Sequence, residues 1–264
     1  MLDWGVIGQI ADAIHPRFRA LVWVGASSSL RCRPRVLRIR VRKCVILSRP
    51  ARRPSHFEGS SLDSHNGSND TSVMEALEAL RAANDAFETR LRQVSAEHWA
   101  LPTPCPDWDV RALVNHVLLG TRMSVQVLAG MPREDVIAGL DDDLLAGDID
   151  PVAAFVDLAE QMVQGFSGPA GLDGVVAHPG GDFPRSVFVG FRVADGAVHA
   201  WDLAFAIGAD TTLGAELVEF LWDDVQPRRD MMLASGLFGD GPSGAVSDDA
   251  PLQRRYLDLI GRRP

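Results

Sequence analysis

The sequence predicts an all-α protein: a four-helix bundle with one long crossover and a short irregular C-terminal tail. Three observations carry this reading. From Met74 onward, apolar residues recur at spacings of three and four, the period of one helix face. Four such segments are long, and Gly- and Pro-rich stretches separate them. One of those stretches is long enough to cross from one end of a bundle to the other, which favours a bundle over an α/β fold.

Taken in order, Leu77, Leu80, Ala83, Phe87, Leu91 and Val94 form the apolar stripe of a first helix. A Pro-punctuated connector, Leu101-Pro102-Thr103-Pro104-Cys105-Pro106, leads to the second. There Asp109 is a natural N-cap, because its carboxylate can accept from free N–H groups of the first turn, and Trp108 with Leu113 can form a hydrophobic staple. This helix should run to about Ala129 and stop at Gly130 and Pro132. His116 lies beside its apolar face of Leu113, Val114, Val117, Leu118 and Val125. A third helix spans Pro151–Phe166, with Asp150 as N-cap and Pro151 at the first position. Ser167–Pro184 is the extended crossover, and Val175-Val176-Ala177 within it suits a short strand or hairpin. The fourth helix holds Val187–Ile207 and ends at Gly208; a fifth follows at Leu213–Asp224. From Ala234 the tail has scattered Gly and Pro, then a short helix near Leu252–Leu259.

The charge is divided unevenly. Residues 1–73 carry twelve Arg or Lys against five Asp or Glu, whereas residues 74–264 carry 14 against 30. An acidic domain at 74–264 argues against a nucleic-acid partner, which calls for a basic face. Arg31–Arg53 is arginine-dense and broken by Pro34, Pro50 and Pro54, and Ser55–Ser72 reads as a polar linker. Residues 1–73 are therefore expected to be a disordered extension or an upstream stretch ahead of a natural start at Met74; the competing reading is a basic docking arm. Cys32, Cys44 and Cys105 are too few and too irregularly spaced for a disulfide framework or a zinc ribbon, and they suit a reducing cytoplasm. No apolar run reaches the ~20 residues of a membrane span, so no membrane partner is expected.

The chemistry concentrates in the fourth helix. Asp195 and His199 stand four residues apart, so they share a helix face one turn apart, and Asp202 lies just beyond. The surrounding residues, among them Phe188, Val189, Val193, Val198, Trp201 and Leu203, are apolar, so the polar stripe must turn inward. A buried carboxylate needs a paired charge or a metal. Adding His116 from a facing helix makes an Asp/His/His set, which leaves positions open as catalytic metal sites do. Zinc is the default ion, with nickel, iron(II) or manganese compatible with the same ligands. Asp202 can orient the second ring nitrogen of His199. The plainer alternative is that Asp195 and His199 form a simple buried pair. Arg192 can steady an anionic substrate or serve as a structural partner of Asp195. His178 lies on a loop that can cover the site or face solvent. Cys105 suits packing better than nucleophilic attack, and His98 suits a surface or capping role.

The segment Thr103-Pro104-Cys105-Pro106-Asp107-Trp108-Asp109-Val110-Arg111-Ala112-Leu113-Val114-Asn115-His116 resembles a motif of an actinobacterial metal-binding family. That family is similar to the N-terminal domain of mycothiol-dependent maleylpyruvate isomerase, within the DinB/YfiT-like superfamily. Val198-His199-Ala200-Trp201-Asp202-Leu203-Ala204 resembles its second motif, and Gly261-Arg262-Arg263-Pro264 its terminal one. The resemblance covers Met74–Pro264. It implies a DinB-like four-helix bundle holding a divalent metal, commonly zinc or nickel, on His116, Asp195 and His199, with Asp where relatives often have Glu. It also implies mycothiol or a similar small thiol as cosubstrate, an electrophile as second substrate, and a cytoplasmic monomer or homodimer. Two functions follow as expectations: a thiol-dependent transferase or isomerase-like enzyme, or a non-catalytic metal-binding or interaction protein that kept the bundle and ligands.

Overall fold

The computed structural model describes residues 66–234 and 241–264. The arginine-dense stretch and most of the polar linker lie outside the described residues. What is described is mostly helical, with one small two-stranded sheet. The helices are α1 (Asn66–Leu91), α2 (Val110–Leu128), α3 (Arg133–Ala138), α4 (Pro151–Ser167), α5 (Arg185–Ile207), α6 (Ala215–Val225), α7 (Arg229–Ala234) and α8 (Leu252–Leu259). A 3₁₀ turn at Gln226–Arg228 joins α6 to α7. The crossover between α4 and α5 holds an antiparallel hairpin, β1 (Val175–His178) and β2 (Gly181–Pro184), with Val176 opposite Phe183.

Three helix ends show their local chemistry clearly. Asp109 caps α2 by accepting from Ala112 N–H at 2.8 Å, and Asp150 caps α4 by accepting from Val152 and Ala153. Gly208 ends α5 in the left-handed conformation, φ 69°, which glycine adopts without a steric penalty. Three features depart from expectation. Helix α1 begins at Asn66, inside the stretch read as linker, because adding a turn to a formed helix costs far less than nucleating one. Helices α3 and α7 are each six residues long, too short to show a 3.6-residue period. The hairpin adds a small sheet to the all-α expectation, and it forms at the Val175-Val176-Ala177 segment that suited a short strand or hairpin.

The four long helices close a ring. Helix α5 packs along α1 and against α2, and α4 packs against the same two. Helix α6 lies on α1, α8 lies on α6, and the hairpin rests on α2 and α5. The core divides into two clusters along the ring. One joins Phe87, Leu91, Cys105, Leu113, Leu118, Phe155 and Leu203, with the rings of Phe87 and Phe155 4.9 Å apart. The other runs from Leu80 and Ala83 through Phe166, Phe188 and Val193 to Leu221 and Leu257. Burying one such large apolar side chain contributes about 1.5–3 kcal/mol. That scaffold has to offset the cost of the polar groups it encloses, among them His116 on α2 and Arg192, His199 and Asp202 on α5. Among the described residues, no helix is long and apolar enough to cross a membrane.

Candidate metal centre

Helix α5 carries its polar residues inward. His199 and Asp202 are fully buried, Arg192 is 7% exposed, and across the ring α2 presents the buried His116. The three expected ligands meet. His116 Nε2 is 3.4 Å from Asp195 Oδ1, and His199 Nε2 is 3.7 Å from the same oxygen. The two imidazole rings stand edge to face, with centroids 4.9 Å apart. Ligand atoms bound to one tetrahedral zinc at about 2.0–2.1 Å lie about 3.3 Å from one another. The observed spacing suits such an ion.

A second feature tests the fit. His199 Nε2 is buried and has no hydrogen-bond partner. An orphaned polar atom in a protein interior is costly, and here it faces the carboxylate and the second histidine. Its other nitrogen is fully engaged: Nδ1 lies 3.0 Å from Asp202 Oδ2. This is the division of labour expected of a metal-binding histidine, with one nitrogen held by a carboxylate and the other left as donor to an ion. The residues present therefore fit a divalent metal.

Electrostatics set the charge states. Burial would push the Asp195 carboxyl up, but Arg192 and the two histidines hold it well below the usual carboxylate range. Arg192 donates to Asp195 Oδ2 at 3.1 Å, leaving Oδ1 toward the histidines. Burial lowers His116. Burial acts in the same sense on His199, but the hydrogen bonds to Asp202 and Cys105 and the charge of Asp195 outweigh it and push His199 up to about 10. Burial raises Asp202, and the charge of Arg262 together with His199 overcomes it and holds Asp202 at about 2. Asp195 and Asp202 are anions, and a metal would replace the proton on His199.

The connector before α2 completes the walls. Thr103 Oγ1 donates to Trp108 O at 3.0 Å and accepts from Cys105 N–H at 3.1 Å, which folds the Pro-rich segment back on itself. The indole of Trp108 then lies against the His116 ring, tilted by 41° with centroids 4.6 Å apart. Cys105 is buried, with Sγ 3.3 Å from Asp202 Oδ2. It packs, as its sequence context suggested, yet it also touches the polar network; Cys105, His199 and Asp202 form a second group with metal-ligating atoms.

Arg192 pairs with Asp195, while its buried Nε has no partner. His178 ends β1 with its ring against Phe183 and Phe188, and burial, then the charges of Arg192 and Arg133, push it down to about 4. It flanks Arg192 and is not among the three converging ligands. His98 accepts from Ser95 N–H at 3.1 Å, a local turn-capping role. Sequence reasoning assigned no role to Arg262 or Gly120. Arg262 reaches Asp202 from beyond α8. Gly120 leaves room for Arg192, since a Cβ there would lie 3.1 Å from Nη1. In the sequence Gly120 is only an isolated glycine inside a helix pattern, tolerated at about 1 kcal/mol relative to Ala, and nothing local marks the slot it leaves.

This fold and site define a helical protein with a buried two-histidine, one-carboxylate cluster. The profile of the mycothiol maleylpyruvate isomerase N-terminal domain matches residues 80–204. Two uncharacterized proteins of Mycobacterium tuberculosis, one from each of two strains, are each 36% identical over 144 residues, 54% of this chain and 74% of theirs. The chain belongs to the family of the mycothiol maleylpyruvate isomerase N-terminal domain. Among solved structures, mycothiol-dependent maleylpyruvate isomerase is similar at 16% identity and a TM-score of 0.45, over 62% of this chain and 74% of that one. A histidine-to-alanine mutant of it gives 15% identity and a TM-score of 0.47, over 62% and 73%.

Proposed function

We propose that this protein binds one divalent metal, zinc or nickel, on His116, Asp195 and His199, and works as a thiol-dependent transferase or isomerase-like enzyme with a mycothiol-type thiol. The observation that carries the reading is the buried, unpartnered Nε2 of His199 facing Asp195 and His116. The family name supports a small thiol as partner. The ring formed by α1, α2, α4 and α5 supports a DinB-like four-helix bundle. We take residues 74–264 as the functional unit and place it in the cytoplasm, where such thiols are reduced.

A bound divalent ion would supply Lewis acidity, favouring the thiolate form of a coordinated thiol near neutral pH. The protein's own residues set the surroundings. Asp195 contributes one negative charge, shared with Arg192, so the set keeps enough positive character to attract an anionic sulfur. Asp202 holds His199 in one orientation through Nδ1. Trp108 covers His116 and restricts water on that side. Arg192, with its Nε unpartnered and His178 nearby, is the group suited to an anionic portion of an electrophilic substrate.

Elemental analysis of the full chain prepared without chelators tests the reading, alongside His116→Ala and His199→Ala. About one divalent ion per chain, lost in both variants, is expected. No bound metal, and no uptake of added zinc or nickel, would overturn it. Turnover of an electrophile with a low-molecular-weight thiol then separates an enzyme from a protein that only holds the metal.

A further inference from the structure

The terminal Gly261-Arg262 pair closes on the candidate metal centre from outside the ring of helices. Helix α8 ends at Leu259, and the chain reverses there: Gly261 N–H donates to Asp258 O at 3.0 Å, and Arg262 N–H to Leu257 O at 2.8 Å. These two bonds form a Schellman turn, which needs a left-handed residue at the glycine position. Gly261 has φ 79°. The turn aims Arg262 back into the protein, where it is 3% exposed. Its Nε donates to Asp202 Oδ1 and its Nη2 to Asp202 Oδ2, both at 2.6 Å. The same Nη2 lies 3.4 Å from Cys105 Sγ. The guanidinium thus grips both oxygens of the carboxylate that holds His199 Nδ1.

We propose that Arg262 is a positioning residue for the metal ligand His199, acting through Asp202. This rests on the reading of His116, Asp195 and His199 as a metal site. A bidentate guanidinium–carboxylate pair fixes the plane of the carboxylate, which a single ammonium cannot do. With Asp202 fixed, His199 keeps Nδ1 engaged and Nε2 turned toward Asp195 and His116. The terminal motif then has a physical meaning: the glycine makes the turn and the arginine locks the ligand.

The test measures zinc affinity by competition with a chromophoric chelator, and the visible bands of the cobalt(II)-loaded protein, in Arg262→Lys, Arg262→Ala and Arg263→Ala. Arg262→Lys keeps a cation beside Asp202 and so keeps the fold. Arg262→Ala is read only if its circular dichroism matches that of the parent. Arg263 has its side chain half exposed and serves as control. The expected result is zinc binding weaker by about 10–100-fold in the Arg262 variants, with altered cobalt bands, and neither change in Arg263→Ala. A purely structural arginine would lower the melting temperature and leave both readouts unchanged at 20 °C. A folded Arg262→Lys that binds zinc as tightly as the parent, with the same cobalt spectrum, overturns the proposal and leaves the metal site standing. A parent protein that takes up no metal overturns the metal reading, and this inference falls with it.

Discussion

Replacing Asp195 with asparagine in metal-free protein removes one charge from a buried cluster and leaves its shape nearly intact. The carboxylate lies 3.1 Å from the Arg192 guanidinium, which is itself 7% exposed. At an effective dielectric of about 20, that contact is worth roughly 5 kcal/mol of Coulomb attraction. Breaking a buried pair by removing one partner costs about 3–5 kcal/mol, because the other charge is left uncompensated. Asparagine still offers an oxygen to Arg192, so the lower figure applies, and we expect a loss of about 3 kcal/mol. For a fold of this size that lowers the melting temperature by about 6–12 °C. Urea unfolding at pH 7.5 with a chelator present measures it directly. A double-mutant cycle with Arg192→Met then isolates the pair, and a coupling of at least about 2 kcal/mol is expected. An Asp195→Asn protein within about 0.5 kcal/mol of the parent would refute the argument that Asp195 is held ionised by Arg192.

Three further outcomes are expected. His178 is held down at about 4 in the fold and titrates near 6.5 in the unfolded chain, so the unfolded state binds more protons between those values. Stability is unaffected above pH 6.5 and falls as the pH drops toward 4, by up to about 3 kcal/mol, and His178→Gln flattens that limb when urea midpoints at pH 4.5 and 7.5 are compared. Asp109→Ala removes the cap that starts the helix carrying His116 and should cost about 1 kcal/mol in the same assay at neutral pH. Gly190→Ala would gain helix propensity, but its Cβ would lie 2.7 Å from Asp224 Oδ1, and Asp224 is tied to Arg228. Overpacking should win, with a net loss of about 1 kcal/mol in thermal melts.

Much of the helical pattern was legible because its signals are local. Caps such as Asp109 and Asp150, the stop at Gly208, and apolar spacings of three and four act within one or two turns. The short helices α3 and α7 left no such trace, since six residues do not complete two turns. In the candidate site, the Asp195–His199 spacing was equally local and marked one face of α5. His116 could be paired with that face as a histidine beside the apolar stripe of a second helix, a pairing the family resemblance also implied, and the structure brings the three side chains together.

By itself, then, the sequence determined the long helices, their order and the inward polar stripe on α5, because each follows from periodicity and capping chemistry within a few residues. The tertiary structure alone decided how that stripe is served. Arg262 lies sixty residues from Asp202 along the chain, yet grips it at 2.6 Å because the α8 turn folds it back. Trp108 covers His116, and the slot left by Gly120 admits Arg192. Such contacts depend on how helices pack across the ring, and no local propensity encodes that distance.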